Sequence, residues 1–199
     1  MARVDARQLE VVVGEETLAL PMLGRVFENK GEDKVPVAVG DRVLLRKRDR
    51  EMGVEAGLER SNVFARRAAG QDSKRQLLAA NVDRVVVVAS FGNPPFSSIT
   101  ADRILVACSF GGIEAAVFLN KTDLAKGDQC VPVSDTYLRA GFKVIPTSAT
   151  LEEGIGALTD LLKDCESVLY GLSGVGKSSL LNLIQPGLGL TTRKGSEAL

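Results

Sequence analysis

Gly171, Leu172, Ser173, Gly174, Val175, Gly176, Lys177 and Ser178 fit the pattern G-x-x-x-x-G-K-S/T in full. Each residue type has a physical reason. Glycine reaches backbone conformations closed to other residues, so Gly171, Gly174 and Gly176 let the main chain wrap closely round an anion. Successive N–H groups then point inward at a phosphate, and the following helix adds its positive N-terminal end. The Lys177 ammonium can reach β- and γ-phosphate oxygens, which makes it the residue expected to stabilise the charge of phosphoryl transfer. The Ser178 hydroxyl is expected to ligate a Mg²⁺ that bridges those phosphates, and Ser179 follows it on the same helix. The pattern alone arises by chance. Here an apolar stretch at 168–170 precedes it and an amphipathic run at 179–184 follows it, which is the strand–loop–helix context the chemistry needs.

A phosphate loop does not tell ATP from GTP. Asn120, Lys121, Thr122 and Asp123 can do so. The Asp123 carboxylate can accept two hydrogen bonds, from guanine N1–H and the 2-amino group. Adenine has neither donor on that edge and would leave the charge unpaired. The aliphatic stem of Lys121 can lie over the base plane. The Asn120 amide can bond the N7 side of the base and tie this loop to the phosphate loop. Alone, N-K-x-D serves equally well as a surface turn; beside a phosphate loop it reads as the base reader. Further on, Thr147, Ser148 and Ala149 follow another apolar stretch, and the Ala149 N–H can be offered to guanine O6. Thr150 supplies a competing local reason for these polar residues, as a helix cap.

The rest of the composition narrows the chemistry. The 199 residues contain no histidine, where roughly four are expected from average usage of about 2%. Histidine catalysis and histidine metal sites are excluded within the chain. Three widely spaced cysteines, Cys108, Cys130 and Cys165, make neither a disulfide framework nor a zinc pattern and read as reduced thiols. Lys+Arg and Asp+Glu balance at 25 each, so attraction to nucleic acid has to come from local clustering. The polar N-terminal stretch does not resemble a signal peptide, and no run approaches the roughly 18 apolar residues of a membrane span. A cytoplasmic protein with no membrane partner is expected.

These residues need elements to position them. Before residue 70, short alternating runs at 9–13, 17–20, 25–27, 42–45 and 63–65 are punctuated by Gly14-Glu15, Asn29-Lys30-Gly31 and Gly40-Asp41. That spacing predicts a small antiparallel OB-like β-barrel over residues 1–70. After residue 70 the pattern alternates between strand and helix. Buried strands are predicted at 82–90, 115–119, 143–146 and 168–170, and helices at 100–111, about 150–163 and 178–184. Thr100 is read as an N-cap, and Thr150 with Glu153 as a capping box. The fold class is multidomain, an OB-like barrel followed over 71–199 by an α/β domain with a parallel sheet.

Asn120 precedes Gly171 by 51 positions, so the base reader comes before the phosphate loop, the reverse of the linear GTPase layout. At this point the chain resembles the ribosome small-subunit-dependent GTPase A family, RsgA, whose members are circularly permuted P-loop GTPases. The resemblance covers essentially the whole chain. It rests on Val39-Gly40-Asp41-Arg42-Val43, on Ala80-Asn81-Val82-Asp83, on Gly112-Ile113-Glu114 ahead of 120–123, and on 171–179. It implies a monomeric, cytoplasmic GTPase that converts GTP to GDP in late maturation of the small ribosomal subunit, stimulated by that subunit and touching its rRNA. It also implies a structural zinc, for which this chain has no ligands.

The chain departs from the family pattern in one respect. No Asp-x-x-Gly occurs anywhere in it, and 21 residues follow Ser178. The family would continue with a switch segment, a D-T-P-G loop and a Cys/His zinc domain, so the GTPase domain at 71–199 reads as incomplete at its C-terminus. Thr191 and Thr192 read as the segment ahead of the switch. The alternative function is a guanine-nucleotide-dependent RNA- or ribosome-binding module with little hydrolysis; an ATP-using P-loop enzyme is a third reading. Arg46, Lys47, Arg48 and Arg50, with Arg60, Arg66, Arg67, Lys74 and Arg75, form the basic stretches offered to RNA. Phe27 and Phe64 are the only aromatics there, so backbone-tracking charge is expected rather than base stacking.

Overall fold

Short alternating runs fold into hairpins in the N-terminal unit. The computed structural model describes residues 3–4, 8–23, 37–48, 51–67 and 75–192. The chain divides into two compact units, Met1–Val82 with Gly111–Ile113, and Asp83–Phe110 with Glu114–Leu199. In the first, β1 (Arg3–Val4), β2 (Leu9–Val13) and β3 (Glu16–Leu20) form an antiparallel sheet in that order. β4 (Val43–Arg48) pairs with β5 (Glu51–Gly57), and β6 (Val63–Arg67) with β7 (Arg75–Ala80), both antiparallel. Leu9, Val11, Leu20, Val37 and Val54 make the core. Parallel bridges join Met22 to Val54 and Val39 to Ala79. Among the described residues these ladders do not close on one another. The run at 25–27 and the turn at 29–31 lie outside the described residues.

The motif at 39–43 has a structural task. Asp41 is 2% exposed and is gripped by Arg60, Nε to Oδ1 at 2.7 Å and Nη2 to Oδ2 at 2.8 Å, while the Ala38 N–H donates to Oδ2 at 2.8 Å. A buried carboxylate is tolerated only with such partners. Asn81, at φ 54°, donates its Nδ2 to Gly40 O and accepts the Ser61 N–H.

The second unit carries β8 (Arg84–Ser90), α1 (Ser98–Phe110), β9 (Glu114–Asn120), α2 (Cys130–Arg139), β10 (Lys143–Pro146), α3 (Ile155–Leu162), β11 (Ser167–Tyr170) and α4 (Lys177–Ile184). The four strands form one parallel sheet in the order β10-β9-β8-β11. Val85 to Val88 are all buried, as a central parallel strand requires. Val86, Val88, Ala116, Phe118 and Ile145 pack with Leu158, Leu161 and Leu180 of the helices. Each Val, Leu, Ile or Phe side chain among them contributes about 1.5–3 kcal/mol on burial.

Three details differ from expectation. α1 begins two residues before Thr100, and the cap is Ser97, whose Oγ accepts the Thr100 N–H at 3.4 Å and its hydroxyl at 3.1 Å. The Thr150–Glu153 capping box does not form. Ser148 and Glu153 exchange two backbone hydrogen bonds instead, which holds Thr150 in a turn, and Gly154 at φ 73° occupies the N-cap of α3. Helix α2 is not among the helices expected from sequence; it carries Pro132 in its first turn, where no N–H is needed and proline is tolerated. No helix among the described residues is long and apolar enough to cross a membrane.

Candidate functional site

Parallel strands deliver their following loops to one sheet edge, where ligands of open α/β sheets bind. β9 ends at Asn120, in register with Ser90 of β8, and β11 ends at Tyr170, in register with Val87. The loops after β9, β10 and β11, which hold 120–123, 147–149 and 171–176, therefore emerge together.

Asn120 joins them. It is 1% exposed, and its Nδ2 donates to Val175 O in the phosphate loop at 2.8 Å. Its Oδ1 accepts the Thr147 hydroxyl and the Ala149 N–H, both at 3.3 Å. One side chain thus fixes all three loops. The Thr147 carbonyl closes the arrangement by accepting the Thr122 N–H at 3.2 Å and its hydroxyl at 3.1 Å.

Asp123 is positioned by Ser148, whose Oγ donates to Oδ1 at 2.6 Å and accepts the Leu151 N–H at 3.1 Å. A carboxylate offers about four acceptor positions, so capacity remains for a ligand's donors. Lys121 stands at φ 60°, and its Nζ donates to the Asn93 carbonyl. Burial lowers its pKa, and neighbouring Asp123 opposes that shift. A cleft of about 570 Å³ opens beside this loop, lined by Phe91, Phe96, Leu124 and Pro132 among others; it flanks 120–123 without including them.

The phosphate loop runs close to its surroundings. A Cβ on Gly171 would stand 2.1 Å from Val88 O, and one on Gly176, at φ 100°, 2.2 Å from Asn120 Nδ2. No other residue type fits Gly176, so glycine is required there for the loop to pack against Asn120. Lys177 Nζ donates to Gly171 O at 2.9 Å and Leu172 O at 2.8 Å, which bends the side chain back over the loop. Burial lowers its pKa. A desolvated ammonium gains from an approaching anion more than a solvated one does. Ser178 and Ser179 lie in the first turn of α4, while Leu172, Ser173 and Gly174 form the exposed stretch of the loop. Backbone donors, an ammonium and a hydroxyl at a helix N-terminus are a donor set that fits a phosphate chain with Mg²⁺. Among the described residues no cluster of three or more His, Cys, Asp or Glu side chains could hold a metal ion.

Thr147, named from sequence only as the first residue of the stretch at 147–149, binds Asn120 through its hydroxyl. Asn93 was missed from sequence: it holds Lys121 through its carbonyl, acting through its backbone with no side-chain signal.

The basic stretches are partly committed elsewhere. Arg60 serves Asp41, Arg46 pairs with Glu55, and Arg66 donates to Gln76 Oε1 at 3.0 Å. Phe64 is 1% exposed and belongs to the core, so it is no stacking platform. Arg48, Arg67 and Arg75 take strand positions, and Lys47 is exposed. Phe27, Asp49, Arg50 and Lys74 lie outside the described residues.

The fold and the order of its loops are those of the circularly permuted GTPase fold. The crystal structure of YjeQ from Thermotoga maritima matches with a TM-score of 0.67 and 30% identity, over 94% of this chain and 62% of that one. YloQ, described as a circularly permuted GTPase, matches with a TM-score of 0.64 and 27% identity, over 94% and 63%. A family profile described as RsgA GTPase matches residues 57–199. Proteins named small ribosomal subunit biogenesis GTPase RsgA are similar too. That of Gemmatimonas aurantiaca is 33% identical over 92% of this chain and 61% of its own length. That of Chlorobaculum parvum is 36% identical over 80% and 53%. The chain belongs to the RsgA GTPase family. It spans about three fifths of the length of the first of these relatives.

Proposed function

We propose that residues 120–123, 148–149 and 171–179 bind GTP and GDP, with Mg²⁺ held by Ser178, in a GTPase that acts in late maturation of the small ribosomal subunit. The observation that carries this reading is the Asn120 side chain, which bonds the phosphate loop and the loop at 147–149 while standing beside Lys121 and Asp123. Asp123 would accept from the guanine edge, Lys121 would cover the base, and the Ala149 N–H would face O6. The N–H groups of 171–176 and Lys177 would hold the phosphates. Mg²⁺, when bound, screens phosphate charge.

Residues 1–70 are proposed as an OB-like barrel that contacts rRNA, and 71–199 as the permuted GTPase domain, in a monomeric cytoplasmic protein. The strand-rich hairpins with bulges at 44/45 and 64/65 support a curved, barrel-like N-terminal unit. The small subunit enters from the names of the relatives.

Binding is tested by titrating GDP and ADP with Mg²⁺. GDP is expected to bind and ADP not; equal affinity returns the protein to the ATP-using class. Single-turnover GTP hydrolysis with and without small subunits tests the activity, and stimulation by the subunits is expected. The second reading is a guanine-nucleotide-dependent ribosome-binding module with little hydrolysis. It is supported if GTP-dependent subunit binding occurs without turnover.

A further inference from the structure

The segment 91–97 joins β8 to α1 and lies outside the motif loops. Its first residues run against the base-reader loop. The Phe91 N–H donates to Asn120 O at 3.0 Å. Gly92, at φ 83°, passes so close to Leu124 that a Cβ there would stand 2.9 Å from Leu124 Cδ1. The Asn93 carbonyl then accepts from Lys121 Nζ.

The segment is itself pinned. Ser90, 1% exposed, donates its hydroxyl to Pro94 O at 3.0 Å, one peptide beyond the Asn93 carbonyl. Pro94 and Pro95 fix φ at consecutive positions and leave the chain little freedom. At the far end the Phe96 ring stacks on Phe91, with centroids 6.2 Å apart, and meets the edge of Tyr137 at 6.3 Å. Tyr137 in turn donates to Asp102 Oδ1 of α1 at 2.9 Å. The Asn93 carbonyl is therefore held from both sides.

Lys121 gains from a fixed acceptor. Ordering a long side chain when a ligand binds costs affinity, and a stem already held at its ammonium has less freedom to lose. Burial disfavours the charged form of Lys121, and a carbonyl acceptor offsets that cost.

We propose that 91–97 is a positioning strap for the base reader: through the Ser90 hydroxyl and the Asn93 carbonyl it holds the Lys121 stem in the pose that covers guanine. Ser90 and Asn93 are then positioning residues that set nucleotide affinity through Lys121. This rests on the reading of 120–123 as the guanine site.

The test is a double-mutant cycle between Ser90 and Lys121 on the full chain, read as the GDP Kd with Mg²⁺. Ser90→Ala removes the tether to Pro94 and adds no bulk. Lys121→Met keeps an unbranched stem and removes the ammonium. Each single variant is expected to bind GDP about fivefold more weakly than wild type. In Lys121→Met, adding Ser90→Ala is expected to change the Kd by less than about 1.5-fold, because Ser90 acts through the ammonium. Ser90→Thr restores the hydroxyl, and a small cavity of about 20 Å³ that Ser90 helps to line offers space for the added methyl. Its GDP Kd is expected within about twofold of wild type. Losses that multiply in the double variant, to about 25-fold, overturn the strap and leave Ser90 as a support for β8. A wild-type Kd in Ser90→Ala, or a Ser90→Thr as weak as Ser90→Ala, overturns it too. A wild type that binds no GDP removes the guanine site and the strap together; a wild type that binds GDP while the losses multiply removes the strap alone.

Discussion

On the proposed reading of the site, Asp123 and Ser148 divide the work of reading a base in a way that substitutions can separate. Asp123 supplies the acceptor, and Ser148 aims it through the 2.6 Å hydrogen bond. Asp123→Asn replaces one acceptor oxygen by a donor, which opposes guanine's N1–H and 2-amino group but suits the oxygen xanthine carries at position 2. GDP affinity is expected to fall by about thirtyfold or more, with xanthosine diphosphate preferred in a competition titration; an unchanged GDP Kd removes Asp123 from the site. Ser148→Ala leaves the carboxylate and removes only its partner. A loss of about 1–1.5 kcal/mol, near tenfold in GDP Kd, is expected with guanine still preferred over xanthine. If Ser148→Ala inverted the preference, Ser148 would contact the base itself.

At the scale of elements, the phosphate loop is held by what surrounds it. Gly176→Ala adds a Cβ 2.2 Å from Asn120 Nδ2 on a backbone at φ 100°. It should abolish measurable nucleotide binding and lower Tm, and adding Asn120→Ala should recover little, because the backbone strain persists. Substantial recovery in the double variant would show that the clash alone matters. Leu180 is fully buried between α4 and the sheet. Leu180→Ala should cost about 3 kcal/mol in denaturant unfolding and weaken nucleotide binding only modestly, since the loop's own hydrogen bonds remain. The same distinction explains what was legible in sequence. The valine run of β8 and the apolar stretches before Asn120 and Gly171 announce buried parallel strands because burial on both faces excludes polar residues. The motif residues announce themselves because the proposed contacts to phosphate and guanine demand particular atoms. What depended on competition between local interactions was not legible. Thr100 was read as the cap, but Ser97 takes that place because the chain enters the helix earlier. Thr150 lost its role when Ser148 paired with Glu153, and α2 forms with Pro132 in a first turn that tolerates it.

Across the whole molecule, formal charge sums to zero, so any attraction to RNA belongs to particular side chains rather than to the protein's net field. The basic stretches look uniform in sequence, yet their members differ physically. Arg60 spends its guanidinium on Asp41, which is 2% exposed, while Lys47 is exposed on β4 and Arg46 stands half out of the surface beside Glu55. These differences predict two separable phenotypes. Lys47→Ala and Arg46→Ala should leave the unfolding free energy within about 0.5 kcal/mol of wild type. If they face rRNA, each should weaken binding to small subunits or to an rRNA fragment, and lower the slope of log affinity against log salt by about one per lost phosphate contact. Arg60→Ala should do the reverse. It strands a buried carboxylate, so about 3–5 kcal/mol of stability is expected to go, with the salt slope of the remaining folded protein unchanged. Measuring urea unfolding and the salt dependence of RNA binding on the same three variants decides it. A reduced salt slope in Arg60→Ala at full stability would mean that the Asp41 pair opens to meet phosphate; unaltered slopes in Lys47→Ala and Arg46→Ala would move the RNA contact off β4.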